Sequence, residues 1–121
     1  MAQGPPPAVI HYDGRRFRPW RNSVNGQVNR ETLFEYRQSG NLLTATYAGG
    51  GILNGSIIGL VAPDGSLHFC YQHLTDAGEL RSGECHSTPE RLPNGRLRLH
   101  ERWRWTLGSP ESGESVVEEV D

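Results

Sequence analysis

The chain predicts a single all-β domain, an antiparallel up-and-down β-barrel of about eight strands. Three observations carry that prediction. Turn signals recur at short intervals, at Asp13-Gly14, Asn25-Gly26, Ser39-Gly40-Asn41, Gly49-Gly50-Gly51, Asp64-Gly65, Asp76-Ala77-Gly78, Asn94-Gly95 and from Gly108 to Gly113, the spacing of consecutive hairpins. The segments between them are β-rich, and none carries the apolar stripe of a helix. The length of 121 residues fits one domain, which eight strands of about 5–8 residues would nearly fill.

Taken in order, strands are expected at 15–22, 32–38, 42–48, 52–62, 66–74, 79–88, 96–107 and 115–120, with 1–8 a flexible N-terminal tail and 9–121 the barrel domain. The seventh strand sets the faces. Leu97, Leu99, Glu101, Trp103 and Trp105 alternate with Arg98, His100, Arg102 and Arg104, so the Leu/Trp set faces inward and the Arg/His set faces water. Glu101 is the one acid in the inward row. A two-residue turn at Pro93-Asn94 or Asn94-Gly95 brings His86 to the face of Glu101 and Trp103. A turn at Ala77-Gly78 sets Tyr71 beside Glu84 and His73 beside Ser82. One at Asp64-Gly65 sets Leu60 against Phe69, Ile58 against Tyr71 and Ser56 against His73, while Ser39-Gly40 aligns Phe34 and Tyr36 with Ala45 and Leu43. These steps require even-length turns, because one extra residue flips every side chain beyond it.

The interior so assembled contains Phe34, Tyr36, Leu43, Tyr47, Ile52, Asn54, Ser56, Ile58, Leu60, Leu67, Phe69, Tyr71, His73, Ser82, Glu84, His86, Leu99, Glu101, Trp103 and Trp105. An eight-stranded barrel either fills itself with side chains or holds one small ligand. Two carboxylates and two imidazoles exceed what a purely structural core carries, since an unpaired buried charge is costly. Polar groups converging among aromatics make a ligand site. The plainer alternative is that Glu84, His86 and Glu101 sit at the rim and meet water.

Within that interior Glu101 and His86 form a candidate catalytic pair, the carboxylate holding one imidazole tautomer and raising its basicity as a general base requires. A register-fixing polar pair is the alternative. Tyr71 and Glu84 form a second candidate pair, and Tyr71, His73, Glu84, Trp103, Trp105, Tyr36, Tyr47 and Asn54 are the expected ligand-binding set. No metal site is expected: only His73 and His86 share the inside with Glu101, and the in-strand distances are long for a facial triad. Ser56, Ser82 and Ser115 lack a nucleophile-elbow context. Cys70 and Cys85 are placed side by side on the outer face, where reduced thiols are expected over a cross-strand disulfide.

Composition narrows the function classes. Twelve basic residues, all arginine, stand against 14 acidic ones, for a net charge of −2, which supports neither nucleic-acid nor membrane binding. Without lysine there is no Schiff base and no lysine-anchored cofactor; no cofactor is expected. Met1 to Pro7 lacks the basic-then-apolar order of a signal peptide, so a cytoplasmic location is expected. Arg81, Arg98, Arg102 and Arg104, with His68 and His100, make an outer basic patch that reads as a solvated face or a docking surface. The terminal Glu118-Glu119-Val120-Asp121 matches a chaperone tetrapeptide, but reads as the end of a closing strand.

The segments Tyr71-Gln72-His73, Gly78-Glu79-Leu80, Ser87-Thr88-Pro89-Glu90, Leu99 to Trp105 and Glu114 to Glu119, with His11 to Arg18, carry a likeness over most of the chain. In these it resembles a family of short bacterial proteins often labelled N-acetylglutamate synthase. The residues themselves read against acetyl transfer, because Gly49-Gly50-Gly51 lies between strands and opens no helix. The resemblance adds no catalytic residues. The expectation is therefore a calycin- or lipocalin-like barrel, monomeric or homodimeric, that binds a small organic molecule in its lumen. It would be either a cofactor-independent cyclase or isomerase using Glu101 and His86, or a non-catalytic carrier. A protein-interaction module using the arginine face is the third reading.

Overall fold

The computed structural model describes residues 10–21, 28–107 and 110–121, with the side chain of Arg21 left aside. The expected N-terminal tail, residue 22, the Asn25-Gly26 turn and Gly108 lie outside the described residues. Eight strands run in chain order: β1 (Arg16–Arg21), β2 (Leu33–Ser39), β3 (Leu42–Gly49), β4 (Ile52–Val61), β5 (Leu67–Thr75), β6 (Leu80–Arg91), β7 (Leu97–Leu107) and β8 (Ser112–Val120). Each pairs antiparallel with the next, and β8 returns to β1, closing the barrel. Closure removes the sheet edges that would otherwise template aggregation. It also disposes of the terminal tetrapeptide, whose Glu118, Glu119 and Val120 pair with Arg18, Phe17 and Arg16.

The barrel is a cup. At one end Tyr12, Phe17, Tyr36, Leu43, Leu67, Leu97 and Leu99 are all buried. The segment before β1 forms part of this seal, with the Tyr12 hydroxyl donating to the Gly65 carbonyl (2.5 Å). At the other end Phe34, Tyr71, Trp103 and Trp105 are only half-buried. The seam between β1 and β2 is short, with two paired positions, Arg16 with Glu35 and Phe17 with Phe34. Pro19, which offers no ladder donor, sits where the pairing of β1 with β8 shifts register.

Three hairpins depart from the expected even turns. Ala62 pairs with Ser66 around Pro63-Asp64-Gly65, Thr75 with Glu79 around Asp76-Ala77-Gly78, and Leu92 with Arg96 around Pro93-Asn94-Gly95. Each loop closes an i to i+3 bond onto a glycine of positive φ, at +87°, +80° and +86°. This is the three-residue hairpin, a type I turn followed by a left-handed residue. An odd loop inverts the facing of everything beyond it. Counting back from β7, β6 is therefore inverted: Gly83, Cys85 and Ser87 are buried, while Ser82, Glu84 and His86 belong to the outer face. Two inversions restore β5, so Leu67, Phe69, Tyr71 and His73 face in as expected. The third turns Ile57 and Val61 inward, and Ser56, Ile58 and Leu60 outward. A bulge between Ile52 and Asn54 then returns Ile52 to the core and leaves Asn54 exposed. Between β2 and β3 the turn is even but one residue along, at Gly40-Asn41, so each partner moves by two and Phe34 pairs with Tyr47 and Tyr36 with Ala45.

Candidate functional site

The half of the cup bordered by Phe34, Tyr71, Trp103 and Trp105 encloses a cavity of about 80 Å³. One water needs roughly 10–15 Å³, so this space takes several waters or one small organic molecule in their place. Its walls are aromatic, and an edge-to-face and stacked series runs around them. Phe34 stacks on Tyr47 (centroids 4.8 Å apart), Tyr47 meets His73 edge-on (5.6 Å), and His73 lies parallel to Tyr71 (6.3 Å). Trp103 and Trp105 form a second stack on β7.

Glycines hold these rings against the wall. Tyr47 pairs with Gly55, Phe69 with Gly59, Tyr71 with Gly83 and Trp103 with Gly113. At each glycine an added methyl would overlap the partner aromatic residue. Glycine inside a strand weakens it and marks a close approach. At Gly55, Gly83 and Gly113 the approach is a ring lying over a bare backbone, and at Gly59 it is the backbone and Cβ of Phe69 with the His68 carbonyl.

The polar groups are few. Among the described residues Glu101 is the one carboxyl lining the cavity, and Ser115, its partner on β8, donates to its Oε1 at 3.0 Å. Desolvation by burial raises its pKa from the ordinary 4.5 to about 7, against the Ser115 hydrogen bond, which lowers it. His73 is depressed from 6.5 to about 4, first by desolvation and then by the nearby Arg81 charge. Its Nδ1 lies 2.8 Å from the Tyr47 hydroxyl. Burial raises the pKa of Tyr36, Tyr47, Tyr71 and Cys85, and the charge of Glu101 adds to each. Arg81 stands at the mouth, its guanidinium 5.1 Å from the Trp105 ring centre and 3.2 Å from Glu79.

With this geometry in view, the comparisons are direct. A family model described as Avidin-like protein matches residues 10–120. The chain belongs to the avidin-like family. That family has a calycin-type barrel fold that binds small molecules. The match lends nothing to the N-acetylglutamate synthase label. A comparison with curated proteins returned no match.

This avidin-like lumen gathers most of the residues expected from sequence: Tyr47, Tyr71, His73, Glu101, Trp103 and Trp105 line it, and Tyr36 is packed into the buried core. Three do not belong. His86 lies on the outside, stacked on His68 (4.2 Å) and paired with Arg102. Glu84 is also outside, ion-paired to Arg104, whose hydrogen bond and charge hold its carboxyl below the usual range. Asn54 is exposed beside the β4 bulge. The Glu101–His86 and Tyr71–Glu84 pairs are therefore not assembled, for the one reason that β6 is inverted. Cys70 and Cys85 are free thiols on opposite faces, Cys85 buried and Cys70 exposed. The basic patch is largely neutralised, with Arg98 on Glu118 (3.2 Å) and His100 on Glu90 (2.8 Å), and Arg81 has left it for the mouth.

Sequence reasoning missed Ser115, Cys85, Val28 and Ile57 as lining residues, and Arg81 at the rim. The signal was present in the glycines: Gly55, Gly83 and Gly113 each interrupt a strand, and each marks where an aromatic ring lies against the backbone.

Proposed function

We propose that this protein binds one small organic molecule in the lumen. The aromatic walls hold its body, and the Glu101 carboxyl meets a polar group at its inner end. The observation that carries this reading is one carboxyl, the only one among the described lining residues, in an aromatic-walled cavity above a sealed end. Cavities of that make-up, mostly apolar with a few convergent polar groups, are how proteins hold small ligands. Avidins themselves bind biotin, so biotin is the first compound to try, followed by a library of small metabolites. Trp103 and Trp105 line the cavity and supply the signal. A ligand should change tryptophan emission saturably at one molecule per chain, and Trp103→Phe should remove most of that change. Saturable binding that leaves the emission of both lumen tryptophans unaltered would place the ligand elsewhere.

A second reading is favoured by one observation. A carboxyl titrating at about 7 can take up and return a proton at neutral pH, as a general acid–base catalyst must. Cofactor-independent cyclase or isomerase chemistry then rests on Glu101 with Tyr71 or the Tyr47–His73 pair in the supporting role, and not on His86. Glu101→Gln should in that case abolish turnover of the bound compound while leaving its affinity largely intact.

A further inference from the structure

Glu101 lacks a counter-charge. Among the described residues its hydrogen-bond partner is the neutral Ser115 hydroxyl, and no ion pair includes it. A carboxylate can accept about four hydrogen bonds, so most of its acceptor capacity faces the cavity. The groups packed around it are Ser87 on β6 and Ser115 on β8, its cross-strand neighbours, and Cys85, Tyr36, Tyr47 and Tyr71, which feel its charge. All of these are neutral across the working pH range. His73 on β5 is uncharged above about 4. Its sequence neighbour Arg102 pairs with Glu114 across β8 on the outer face, and two charges toward the ends of the cup are matched, Arg81 by Glu79 (3.2 Å) and Glu119 by Arg15 (2.7 Å).

The same cavity is lined by Phe34, Tyr47, Tyr71, Trp103 and Trp105, and the faces of such rings are electronegative and attract cations, most strongly when water is excluded. An anion or a plain carbonyl gains nothing from this wall, whereas an ammonium gains from both the wall and the carboxylate. We propose, building on the ligand-binding reading above, that the lumen selects a small organic cation: a primary ammonium or amidinium on a flat or aliphatic body, its N–H donors directed at Glu101. The selection comes with a pH dependence of known sign. Glu101 must be ionised to pair, and pairing lowers the pKa that burial has raised, so binding releases a proton near neutrality and strengthens as pH rises.

The test uses three matched probes, benzylammonium, benzyl alcohol and benzoate, titrated into the full chain carrying ¹³C-labelled glutamate. The Glu101 carboxyl and the lumen side chains are followed by NMR. Benzylammonium should bind at least about tenfold more tightly than benzyl alcohol at pH 8, a difference of about 1.4 kcal/mol. It should also pull the Glu101 titration midpoint down, and its affinity should weaken roughly 50–100-fold by pH 5, following the ionised fraction of the carboxyl. Glu101→Gln should erase the preference, bringing amine and alcohol to the same affinity, and unchanged Trp103 and Trp105 side-chain resonances in the free variant report that its lumen is intact. Equal binding of amine and alcohol, a preference for benzoate, or an amine preference that survives Glu101→Gln overturns the cation inference and leaves the ligand-binding reading standing. If none of the three disturbs a lumen resonance at millimolar concentration, both fall.

Discussion

Replacing Glu101 by Gln keeps the shape and the capacity to accept from Ser115, and removes a lumen carboxyl that titrates near neutrality. The pKa of Glu101 is 4.5 for a free side chain and about 7 in the barrel, and each unit is worth about 1.4 kcal/mol. The sign follows from proton binding: between the two values the native state holds the proton more tightly than the unfolded chain, so stability falls as pH rises through that window. Below pH 4 the two proteins should be nearly equal. By pH 8 the variant should be the more stable, by up to about 3 kcal/mol, the ceiling being lowered by whatever water the cavity admits. His73 acts with the opposite sign. Its pKa drops from 6.5 to about 4, so its contribution is present above pH 6.5 and is lost as pH falls. In the parent protein the two slopes offset one another between pH 4.5 and 6.5, whereas in Glu101→Gln the His73 slope stands alone. Urea unfolding of both proteins at intervals from pH 4 to 8 reads this directly. Parallel stability curves would refute the placement of Glu101 in a desolvated lumen, because a solvent-facing carboxyl has no such linkage.

Three further outcomes follow from the architecture. Gly83→Ala should destabilise by about 1–3 kcal/mol through overpacking, because its methyl would meet the Tyr71 hydroxyl and the Arg104 carbonyl, and it should weaken any lumen ligand; denaturant melts and the ligand titration check both. His86→Asn, on the outer face, should change stability by less than about 0.5 kcal/mol and leave lumen binding untouched, and a loss comparable to that of Tyr71→Ala would put β6 back in its sequence-expected facing. Cys70, exposed, should react with an aromatic disulfide in the native state, while Cys85, buried with its pKa raised by desolvation, should react only on unfolding; the kinetics of thiol release separate the two.

The barrel, its eight strands and the inward row of β7 were legible because period-2 alternation and turn chemistry are local signals. Facing beyond β7 was not, since it depends on counting turn residues. Pro63-Asp64-Gly65, Asp76-Ala77-Gly78 and Pro93-Asn94-Gly95 each contain a dipeptide that also suits a two-residue turn, and whether the loop closes on two residues or three decides the facing of the next strand. Errors of parity cancel in pairs. Tyr71 and His73 were placed correctly through two inversions, while His86, Glu84, Ile58 and Leu60 were displaced by one or three. Ile52 was recovered because the β4 bulge supplied one more shift. The residues that could have exposed the error were Cys85 and Gly83: the sequence-expected facing puts a thiol and a bare backbone in water and a charged histidine–glutamate set inside, which is the costlier arrangement.

The central claim is that one small molecule occupies this lumen, and native mass spectrometry of the protein purified from its own host tests it most directly. The parent chain should carry one bound organic molecule per barrel. Ser115→Phe, which fills the space in front of Glu101, should lose that mass while keeping a β-dominated circular dichroism spectrum. An adduct that persists in Ser115→Phe would put the ligand outside the lumen, and a chain that emerges bare from every preparation would contradict the account.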